Sequence, residues 1–456
     1  MVFFCYHSRD SMKELVKKFI PKSLLLFYHN LLTRTADIFY DHPSRKMIII
    51  GVTGTTGKTT VCNLIAKILE EAGFKVGLTT TANFKIADKE WVNDLKQTML
   101  GRFALQRLLS QMVQAGCQYA VIETTSEGIA QYRHLGIDYD LAVFCNLTPE
   151  YIERHGSFEN YKKAKGKLFA SLSKNKKQLL VNNQQLTINK VSIVNLDDEH
   201  AGYFLGFGAD EKIGYSIKNQ RYKSKIKKIK AENIGLSSGG VNFNVQGISI
   251  NLKLLGKFNV SNALAAICVG LSQNIDLNII KKALEKVRNM PGRMEIINEG
   301  QDFTVIVDYA HEPVGLENVY QTIQLMAPKR IISLLGSQGG GRDVRKRPVL
   351  GKLAAQYTDD VIVTNEDPYD EDPQAIIDQV TAGALEKDKV LGQNLWKILN
   401  RKEAIKKAIL LAKAGDIVVI TGKGSEKHIV SKNNKKIPHD DRDVVRQILR
   451  SLRQTK

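Results

Sequence analysis

The stretch that decides the fold is IIIGVTGTTGKTTVCNLIAKILEEAGF, residues 48–74. It starts as a continuous apolar run of the kind that a parallel sheet buries, passes through a glycine-rich loop and continues with helical spacing. A strand that leads through a glycine loop into a helix is the setting in which phosphate-binding loops occur. The usual pattern, G-x-x-x-x-G-K-[ST], requires a glycine where Val52 stands, and this chain has its glycine one place earlier, at Gly51. The stretch therefore predicts a nucleotide site of a variant kind.

The loop carries the groups that a triphosphate needs. Main-chain N–H groups of the loop and the N-terminus of the following helix together form an anion site. Lys58 would reach the β- and γ-phosphates, and Thr59 would offer its hydroxyl to Mg²⁺. The predicted ATP contacts of the loop are Gly54, Thr55, Thr56, Gly57, Lys58, Thr59 and Thr60.

The composition describes an ordinary globular protein. Its 456 residues exceed what one compact core usually holds, so two or three domains are expected. The five cysteines form no C-x-x-C pair, and we expect buried thiols in a reducing, cytoplasmic compartment. No apolar run of the sequence reaches the length of about 20 residues that spans a bilayer.

The charge of the chain favours anionic partners. A formal net charge of +19 suits nucleic acid, a membrane surface or phosphorylated small molecules. The densest basic patch, RYKSKIKKIKAE at residues 221–232, alternates like a strand with a solvated lysine face. Because no aromatic stacking platform accompanies these lysines, no nucleic-acid partner is predicted. Residues 12–40 read as an amphipathic helix interrupted near Pro21, for which packing onto the next domain is favoured and peripheral membrane contact is the alternative.

Alternating strands and helices predict an α/β fold. Strand-like runs at residues 119–124, 141–147 and 177–183 indicate a mostly parallel sheet. Short alternating segments at residues 213–255 indicate a small antiparallel part, and a second α/β series follows Gly292. The expected division is an N-terminal helical segment at residues 1–46, a central phosphate-loop domain at 47–292 and a C-terminal Rossmann-like α/β domain at 293–456.

The variant loop, GVTGTTGKTT at residues 51–60, resembles the ATP loop of the Mur ligase family. Further stretches are similar to motifs of that family in the same order: IETTSEGIAQYR from residue 122, NLTPEYIERHGSFENYKKAKGKLF from 146, GKFNVSNALAA from 256, PGRME from 291, DYAHEPVGLE from 308, GSQGGGRDVRKRP from 336 and GKGSE from 422. The resemblance covers the chain from about residue 47 onward and is closest to the tripeptide synthetase branch. It implies an ATP-dependent amide-bond ligase that adds a free amino acid to a muramoyl-peptide-type cell-wall precursor, and a monomer is expected.

The chemistry of such a ligase makes demands on the site. A carboxylate is a poor acylating agent, and phosphoryl transfer from ATP converts it to an acyl phosphate that an amine can attack. Because the transfer brings negative charges together, cations must dominate the site. The resemblance implies that Lys58, Glu123 and Lys165 are catalytic. It also implies that Thr59, Glu123 and Lys165, the last in carbamoylated form, hold Mg²⁺.

The resemblance extends the ATP site beyond the loop. The further contacts that it implies are Asn259, Asn262, Arg293, Asp308 and His311. Since Asp308 and His311 follow the expected boundary, ATP would bridge two domains, and closure of the C-terminal domain is expected during catalysis.

The substrate residues implied by the resemblance are Thr98, Thr125, Gln131 and Arg133 for the acceptor, and Asp367, Tyr369, Gly422 and Glu426 for the amino acid. Enzymes of the family that add diaminopimelate have the signature Asp-Asn-Pro-Arg where this chain has EDPY, residues 366–369. An arginine pairs with a substrate carboxylate, which Tyr369 cannot do. The acids Asp367 and Asp370 favour a basic amino acid such as lysine, with its distal amine on Glu426.

Two departures leave alternatives open. Tyr151 replaces a histidine metal ligand of the family, so that either Lys165 and water alone hold the second metal, or Glu150, Glu153 or His155 compensates. Only about 46 residues precede the ATP domain, where relatives carry a domain that holds uridine diphosphate, so the UDP linkage of the acceptor is open. One alternative function is a folylpolyglutamate or polyglutamate ligase with another acceptor. The other is a non-catalytic ATP-binding scaffold, against which the intact Lys58 argues.

Overall fold

The structure is a computed structural model that describes residues 22–95, 97–149, 155–173, 176–181, 184–218 and 226–454. Four predicted features lie wholly or partly outside these ranges. They are the start of the N-terminal helix at residues 12–21, the EYIE segment at residues 150–153, residues 182–183 of the strand-like run at 177–183, and residues 221–225 of the basic patch.

The strands are β1 (Ile48–Thr53), β2 (Val76–Thr79), β3 (Asn83–Ile86), β4 (Lys89–Val92), β5 (Tyr119–Glu123), β6 (Leu141–Phe144), β7 (Lys177–Val181), β8 (Gln184–Ile188), β9 (Val191–Asn195), β10 (Glu211–Ser216), β11 (Lys227–Lys230), β12 (Glu232–Ser237), β13 (Gly240–Val245), β14 (Ile248–Leu252), β15 (Glu295–Ile297), β16 (Thr304–Val307), β17 (Ile331–Leu335), β18 (Asp360–Thr364), β19 (Leu395–Ile398), β20 (Ile417–Ile420), β21 (His428–Ser431) and β22 (Lys435–Pro438).

The helices are α1 (Lys22–Phe39), α2 (Lys58–Glu71), α3 (Arg102–Gln114), α4 (Ser126–Ala130), α5 (Phe158–Ala170), α6 (Ala201–Leu205), α7 (Phe258–Ser272), α8 (Leu277–Lys286), α9 (Pro313–Gln324), α10 (Lys346–Tyr357), α11 (Pro373–Leu385), α12 (Arg401–Leu411) and α13 (Asp441–Gln454).

A nine-stranded sheet with the order β11-β10-β9-β6-β1-β5-β2-β3-β4 holds the phosphate loop. Neighbours from β11 to β2 pair in parallel, and β3 and β4 add an antiparallel edge. Helices cover both faces, with α2, α7 and α8 on one side and α3 and α5 on the other, which explains why β1 is a continuous apolar run. Because β1 is central and parallel to β5 and β6, the loops after Thr53, Glu123 and Phe144 meet at one edge of the sheet.

Two strand predictions need correction. Residues 177–183 were expected in the alternating series, but β7 pairs antiparallel with β8 in a separate hairpin, and β9 takes the place beside β6. The reason is Lys177, whose Nζ is buried 2.5 Å from the Asp140 carboxylate and 2.9 Å from the main-chain oxygen of Met47, so this segment anchors the beginnings of β6 and β1.

The second correction concerns residues 213–255. Only β12, β13 and β14 form an antiparallel sheet, whereas β10 and β11 extend the main sheet in parallel. Alternation of apolar and polar residues with a period of two indicates a strand, but it does not show whether that strand pairs in parallel or antiparallel. Tyr215 on β10 packs within the main sheet: it is buried, and its hydroxyl donates to the main-chain oxygen of Phe144 on β6 at 3.0 Å.

The C-terminal part contains a six-stranded sheet with the order β15-β16-β20-β17-β18-β19, in which only β15 is antiparallel. Helices again cover both faces, which agrees with the predicted α/β class. Gly292, where we propose the domain boundary, has a φ of 61° and lies against the loop at Gly424 and Ser425. A Cβ at Gly292 would come within 2.1 Å of the Ser425 nitrogen, so only glycine allows this approach.

The described part of the N-terminal helix, α1, packs on α3 and on the loop after α4, as the sequence predicts. No described helix combines the length and the apolar character that crossing a membrane requires.

Candidate active site

The phosphate loop is held by residues from two other segments. Gly57 caps α2 with a φ of 80°, and a Cβ there would lie 2.5 Å from Oδ1 of Asn262. Oδ1 of Asn146, just after β6, accepts from the N–H groups of Thr55 at 3.2 Å and Thr56 at 2.9 Å. The first N–H groups of α2 have no acceptor within the helix, and anions bind at such ends. The loop therefore presents the groups to which phosphate binds.

A buried carboxylate lies beside the helix start. Glu123, at the end of β5 and only 2% exposed, accepts a hydrogen bond of 2.9 Å from the Thr59 hydroxyl. Thr81 donates to the same carboxylate from its N–H at 2.8 Å and from its hydroxyl at 3.0 Å. The Thr81 hydroxyl also lies 2.8 Å from that of Thr98. This chain of contacts links the nucleotide side of the site to a predicted acceptor residue.

Two lysines reach the loop from different elements. Lys58 Nζ donates to the main-chain oxygen of Thr55 at 2.8 Å. Lys165, on α5, is 2% exposed, and its Nζ donates to the main-chain oxygen of Gly54 at 2.6 Å and lies 4.5 Å from the centre of the Tyr161 ring. Lys165 is therefore buried against the phosphate loop and does not lie on the protein surface.

Residues of the C-terminal part approach the same loop. Arg293 Nη2 lies 3.3 Å from the Thr59 hydroxyl, and its guanidinium lies over the Tyr309 ring at 4.2 Å. Asp308 accepts from the N–H groups of Met294 and Ala310, and burial raises the pKa of its carboxyl despite the nearby Arg293.

His311 lies on the same side. Burial is the main cause that holds the pKa of His311 well below its usual value, and the Lys346 cation adds to it. This imidazole is therefore neutral at pH 7. Its Nδ1 lies 2.9 Å from the main-chain oxygen of Tyr309, which suits a donating Nδ1–H. The ring is thus held in one orientation near the nucleotide side.

The predicted acceptor residues lie around α4. Thr125 caps this helix by accepting from the N–H of Gly128 at 3.1 Å. The Gln131 side chain accepts from Arg133 Nη2 at 2.7 Å, while its main-chain oxygen accepts from Arg102 Nη2 at 2.6 Å. Burial lowers the pKa of both arginines, but arginine remains charged at any ordinary pH. Two cations therefore flank Gln131, as suits an anionic acceptor.

The predicted amino-acid side is an ionic network. Lys423 Nζ, fully buried, lies 2.8 Å from Asp367 and 2.6 Å from Glu426. Burial opposes the charge of Lys423, but the two carboxylates outweigh it and raise the pKa of the lysine. Asp367 also accepts from the N–H of Val430 at 2.7 Å. The Asp367 carboxylate is thus satisfied by the protein and is less suited to a substrate amine than the sequence indicates.

One cavity of about 1020 Å³ collects almost all the predicted site residues. Those that line it are Gly54, Thr55, Thr56, Gly57, Lys58, Thr59, Thr60, Thr98, Glu123, Thr125, Gln131, Arg133, Lys165, Asn259, Asn262, Arg293, Asp308, His311, Asp367, Tyr369 and Glu426. Gly422 does not line the cavity. Gly422 has a φ of 103°, and a Cβ added there would lie 2.5 Å from Oε2 of Glu366, so both the backbone and the neighbouring side chain favour glycine.

Sequence reasoning missed several residues of the site. Asn146, Thr81 and Lys423 each bond to a predicted residue from a distant segment. Glu366 is fully buried, neither of its oxygens has a hydrogen-bond partner among the described residues, and burial raises its pKa to about 7. Asn146 and Lys423 lie inside motifs that resemble those of the family. The sequence therefore pointed to both residues but not to the residues that they contact.

The donors at the loop suit Mg²⁺. Magnesium commonly takes one or two carboxylates together with substrate phosphates, and Glu123 with Thr59 provides such a set. Among the residues that the structure describes, no three His, Cys, Asp or Glu side chains form a metal cluster. His155 lies 3.1 Å from the Ser126 hydroxyl through its Nε2, and the EYIE segment lies outside the described residues.

Comparisons with known proteins agree with this two-part ligase architecture. Residues 52–270 match the Mur ligase middle domain, and residues 292–424 match the Mur ligase, glutamate ligase domain. The UDP-N-acetylmuramoyl-L-alanyl-D-glutamate–2,6-diaminopimelate ligase of Bacillus cereus is 37% identical over 435 residues, which is 94% of this chain and 84% of that protein. The UDP-N-acetylmuramyl-tripeptide synthetase of Roseiflexus sp. is 38% identical over 425 residues, or 91% and 81% of the two chains.

The chain therefore belongs to the Mur ligase family, whose members are ATP-dependent ligases. The predicted family, α/β fold class and ligase activity are confirmed, and ATP is the expected nucleotide.

Solved structures agree. A UDP-N-acetylmuramoyl-L-alanyl-D-glutamate–2,6-diaminopimelate ligase with 30% identity superposes with a TM-score of 0.59 over 90% of this chain and 79% of that one. The Mycobacterium tuberculosis folylpolyglutamate synthase complexed with ADP has a TM-score of 0.66 and 17% identity, over 91% of this chain and 95% of that one, which shows a shared fold alone.

Proposed function

We propose that this protein uses ATP and Mg²⁺ to add a free amino acid to the carboxylate of a muramoyl-peptide acceptor, releasing ADP and phosphate. The observation that carries the proposal is one cavity that is lined by the phosphate loop, by Arg133 beside Gln131, and by Asp367 and Glu426, the two partners of Lys423. ATP, an anionic acceptor and an amino acid each have a chemically suitable side of this cavity. The names of the relatives, which describe ligases of muramoyl peptides, support the same acceptor class.

In the proposed reaction the acceptor carboxylate attacks the γ-phosphate, and the amine of the amino acid then displaces phosphate from the acyl phosphate. Lys58 at the loop and Arg293 beside Thr59 place positive charge where phosphate charge develops. Bound Mg²⁺ would neutralise further phosphate charge between Glu123 and Thr59. Nη1 and Nη2 of Arg133 donate to the main-chain oxygen of Met99 and to the Gln131 side chain, and the guanidinium held in this way would attract an anionic acceptor.

Lys165 is proposed to act as a carbamate. Its Nζ lies at Gly54, close to the region that Glu123 and Thr59 border, and it is shielded from solvent. Addition of CO₂ to the neutral amine, with loss of a proton, would convert this cation into an anion able to bind Mg²⁺.

For the second substrate we propose a basic amino acid such as lysine. Tyr369 borders the cavity in a positive-φ conformation of 52° and provides no cation for a distal carboxylate. Glu426 keeps some exposure, with 14% of its side chain accessible, and lies 3.4 Å from the Tyr309 hydroxyl. We therefore assign the distal amine to Glu426, while Asp367 positions Lys423.

Phosphate release tests the proposal directly. The purified chain would receive ATP, Mg²⁺, a muramoyl dipeptide with or without UDP, and single amino acids, with the product mass measured. We expect release only with an acceptor present, and a product heavier by one lysine residue. Diaminopimelate as the preferred amino acid would overturn the specificity, and turnover only on folate or polyglutamate would overturn the acceptor class. ATP binding without turnover on any acceptor would support a scaffold.

Three further features stay predictions. They are a monomeric state, a cytoplasmic location, and peripheral membrane contact by the N-terminal helix. Light scattering of the purified protein would test the first.

A further inference from the structure

Helix α1 turns its apolar side outward. Its most exposed apolar residues, with 53–71% of their surface accessible, are Leu24, Phe27, Tyr28, Leu31, Ile38 and Phe39. Their spacing of three and four residues places them on one stripe along the helix. Among the positions of α1 whose burial the structure describes, only Arg34 is both exposed and charged. An ordinary surface helix exposes its polar side, whereas α1 exposes apolar side chains. Exposed apolar patches of this kind indicate interaction sites.

The opposite side of α1 fixes the helix to the protein. Thr33 is 1% exposed, and its hydroxyl contacts the main-chain oxygen of Tyr132 at 3.1 Å. Ala36 is fully buried. A Cβ at Gly136 would lie 3.0 Å from Cγ2 of Thr33, so the glycine permits close approach of the helix. Rotating the helix to bury its stripe would break these contacts, and the outward orientation is therefore built in.

The stripe continues onto the neighbouring helix. The Phe39 ring lies 6.2 Å from that of Phe103 on α3, which is 40% exposed. Arg107, exposed and four residues after Phe103, lies on the same face of α3. The apolar surface thus has basic residues at its margin, Arg34 on one helix and Arg107 on the other.

Two carboxylates lie close to the stripe, and each contacts a basic side chain. Asp37 lies 2.7 Å from Nδ1 of His42, and Asp41 lies 2.5 Å from Nζ of Lys46. Both acids among the described residues of α1 and the turn after it therefore have a partner within the protein.

We propose that this stripe docks on an anionic membrane surface, with the aromatic and aliphatic side chains at the acyl boundary and Arg34 and Arg107 at the head groups. Interfacial helices combine exposed aromatic and aliphatic residues with basic residues in this way. The net charge of +19 attracts an anionic bilayer, whereas it opposes pairing with a second copy of equal charge. Charge complementarity thus selects the lipid surface over a second copy.

Docking has a consequence for the cavity. The side of α1 that faces the protein contacts Tyr132, which lies between Gln131 and Arg133 on the acceptor side. The helix would hold that side of the cavity beside the membrane. The docking itself does not depend on the proposed reaction, because it needs neither ATP nor an acceptor.

Vesicle flotation of the full chain tests the proposal. Vesicles of phosphatidylcholine, with and without one third phosphatidylglycerol, would be mixed with the wild type and with a Phe27→Ser, Leu31→Ser, Ile38→Ser variant. We expect binding to the anionic vesicles, and a partition coefficient about tenfold lower or more for the variant. The matched control is a Leu325→Ser, Leu410→Ser variant, whose leucines are 53% and 56% exposed on the C-terminal part and should not affect binding.

Each other outcome is decisive. Equal binding by wild type and triple variant would overturn the proposal and place lipid contact elsewhere, such as residues 1–21. A dimer that the triple variant dissociates in light scattering would assign the stripe to a second copy. Should the triple variant fail to fold, Arg34→Glu provides the test, with several-fold weaker binding to anionic vesicles and unchanged binding to neutral ones expected. Unchanged binding of Arg34→Glu to both would overturn the docking geometry.

Discussion

At the ATP side of the cavity, the contacts of Lys58 and Asn146 are with the phosphate loop itself: Lys58 donates to the main-chain oxygen of Thr55, and Asn146 accepts from the N–H of Thr56. At the amino-acid side, buried charges bond to one another, as Lys423 does to Asp367 and Glu426. The first arrangement places the charge of Lys58 against a neutral main-chain oxygen, from which phosphate can take it over. The second pairs its charges within the protein, so that a substrate contacts only the edge of the network.

The two arrangements predict different consequences of substitution. A cation at the loop stabilises negative charge in the transition state, so its loss should lower turnover with little effect on folding. A charge in the buried network is compensated by its partner, so its loss leaves that partner buried and unpaired and should lower stability. Four substitutions test this distinction, beginning with the largest expected effect.

Lys165→Ala should lower turnover about 10²- to 10³-fold, because it removes a group that acts on transition-state charge. ATP binding should change much less, since Lys58 and the helix N-terminus remain. Small carboxylates should restore part of the activity if the lysine acts as a carbamate. Steady-state phosphate release and nucleotide titration measure both effects. Lys163→Ala, two residues away and exposed, is the control, and full activity of Lys165→Ala would refute the catalytic assignment.

Asp367→Asn should destabilise the protein by about 3 kcal/mol, because it removes one partner of a buried ion pair. Chemical denaturation with the two-state slope held fixed measures the change. The control is Asp378→Asn, which breaks an exposed pair with Lys397 at 3.1 Å and should leave the midpoint unchanged. If both variants unfold at the wild-type midpoint, the network at Lys423 does not stabilise the fold.

Glu366→Gln should raise the free energy of unfolding at pH 8 by about 3 kcal/mol and have little effect at pH 4.5. Burial raises the pKa of Glu366 from about 4.5 to about 7, so the unfolded chain loses this proton before the folded one does. The wild type consequently loses stability as pH rises from about 4.5 to 7, and the neutral amide removes that loss. Melting temperatures across this range measure it, and a pH-independent difference between the two proteins would contradict the assignment.

Arg133→Lys should raise the KM for the acceptor about tenfold while kcat stays within about twofold. Lysine keeps the charge but loses the planar fork that bonds to two oxygens. Arg107→Lys, on the exposed face of α3, serves as the control and should behave like the wild type. A kcat effect without a KM effect would place Arg133 in the chemical step and not in acceptor binding.

The parts that could be predicted from the sequence share a physical reason. The phosphate loop, the strand before it and the helix after it are contiguous, and their geometry depends on glycine conformations and apolar periodicity that are visible in the chain. Glu123 is the last residue of β5, which pairs in parallel with β1. Its carboxylate therefore lies beside the loop that follows β1. The resemblance to a family supplied Lys165 and the C-terminal contacts, which local patterns do not reveal.

The parts that could not be predicted depend on pairing between distant segments. The β7 hairpin replaced an expected sheet strand because Lys177 pairs with Asp140, 37 residues earlier. Asp367 suits a substrate amine as a residue type, but Lys423, 56 residues later, occupies it. A sequence shows which groups carry charge but not which of them neutralise each other.

A phosphate loop of the Mur ligase kind can be recognised in the sequence, because contiguous residues form the loop and co-linear motifs indicate the family. The pairing of charges inside the cavity and the side of α1 that faces outward become visible only in the folded chain. Both depend on contacts such as Lys423 with Asp367 and Thr33 with Tyr132, in which residues far apart in the chain satisfy each other on burial.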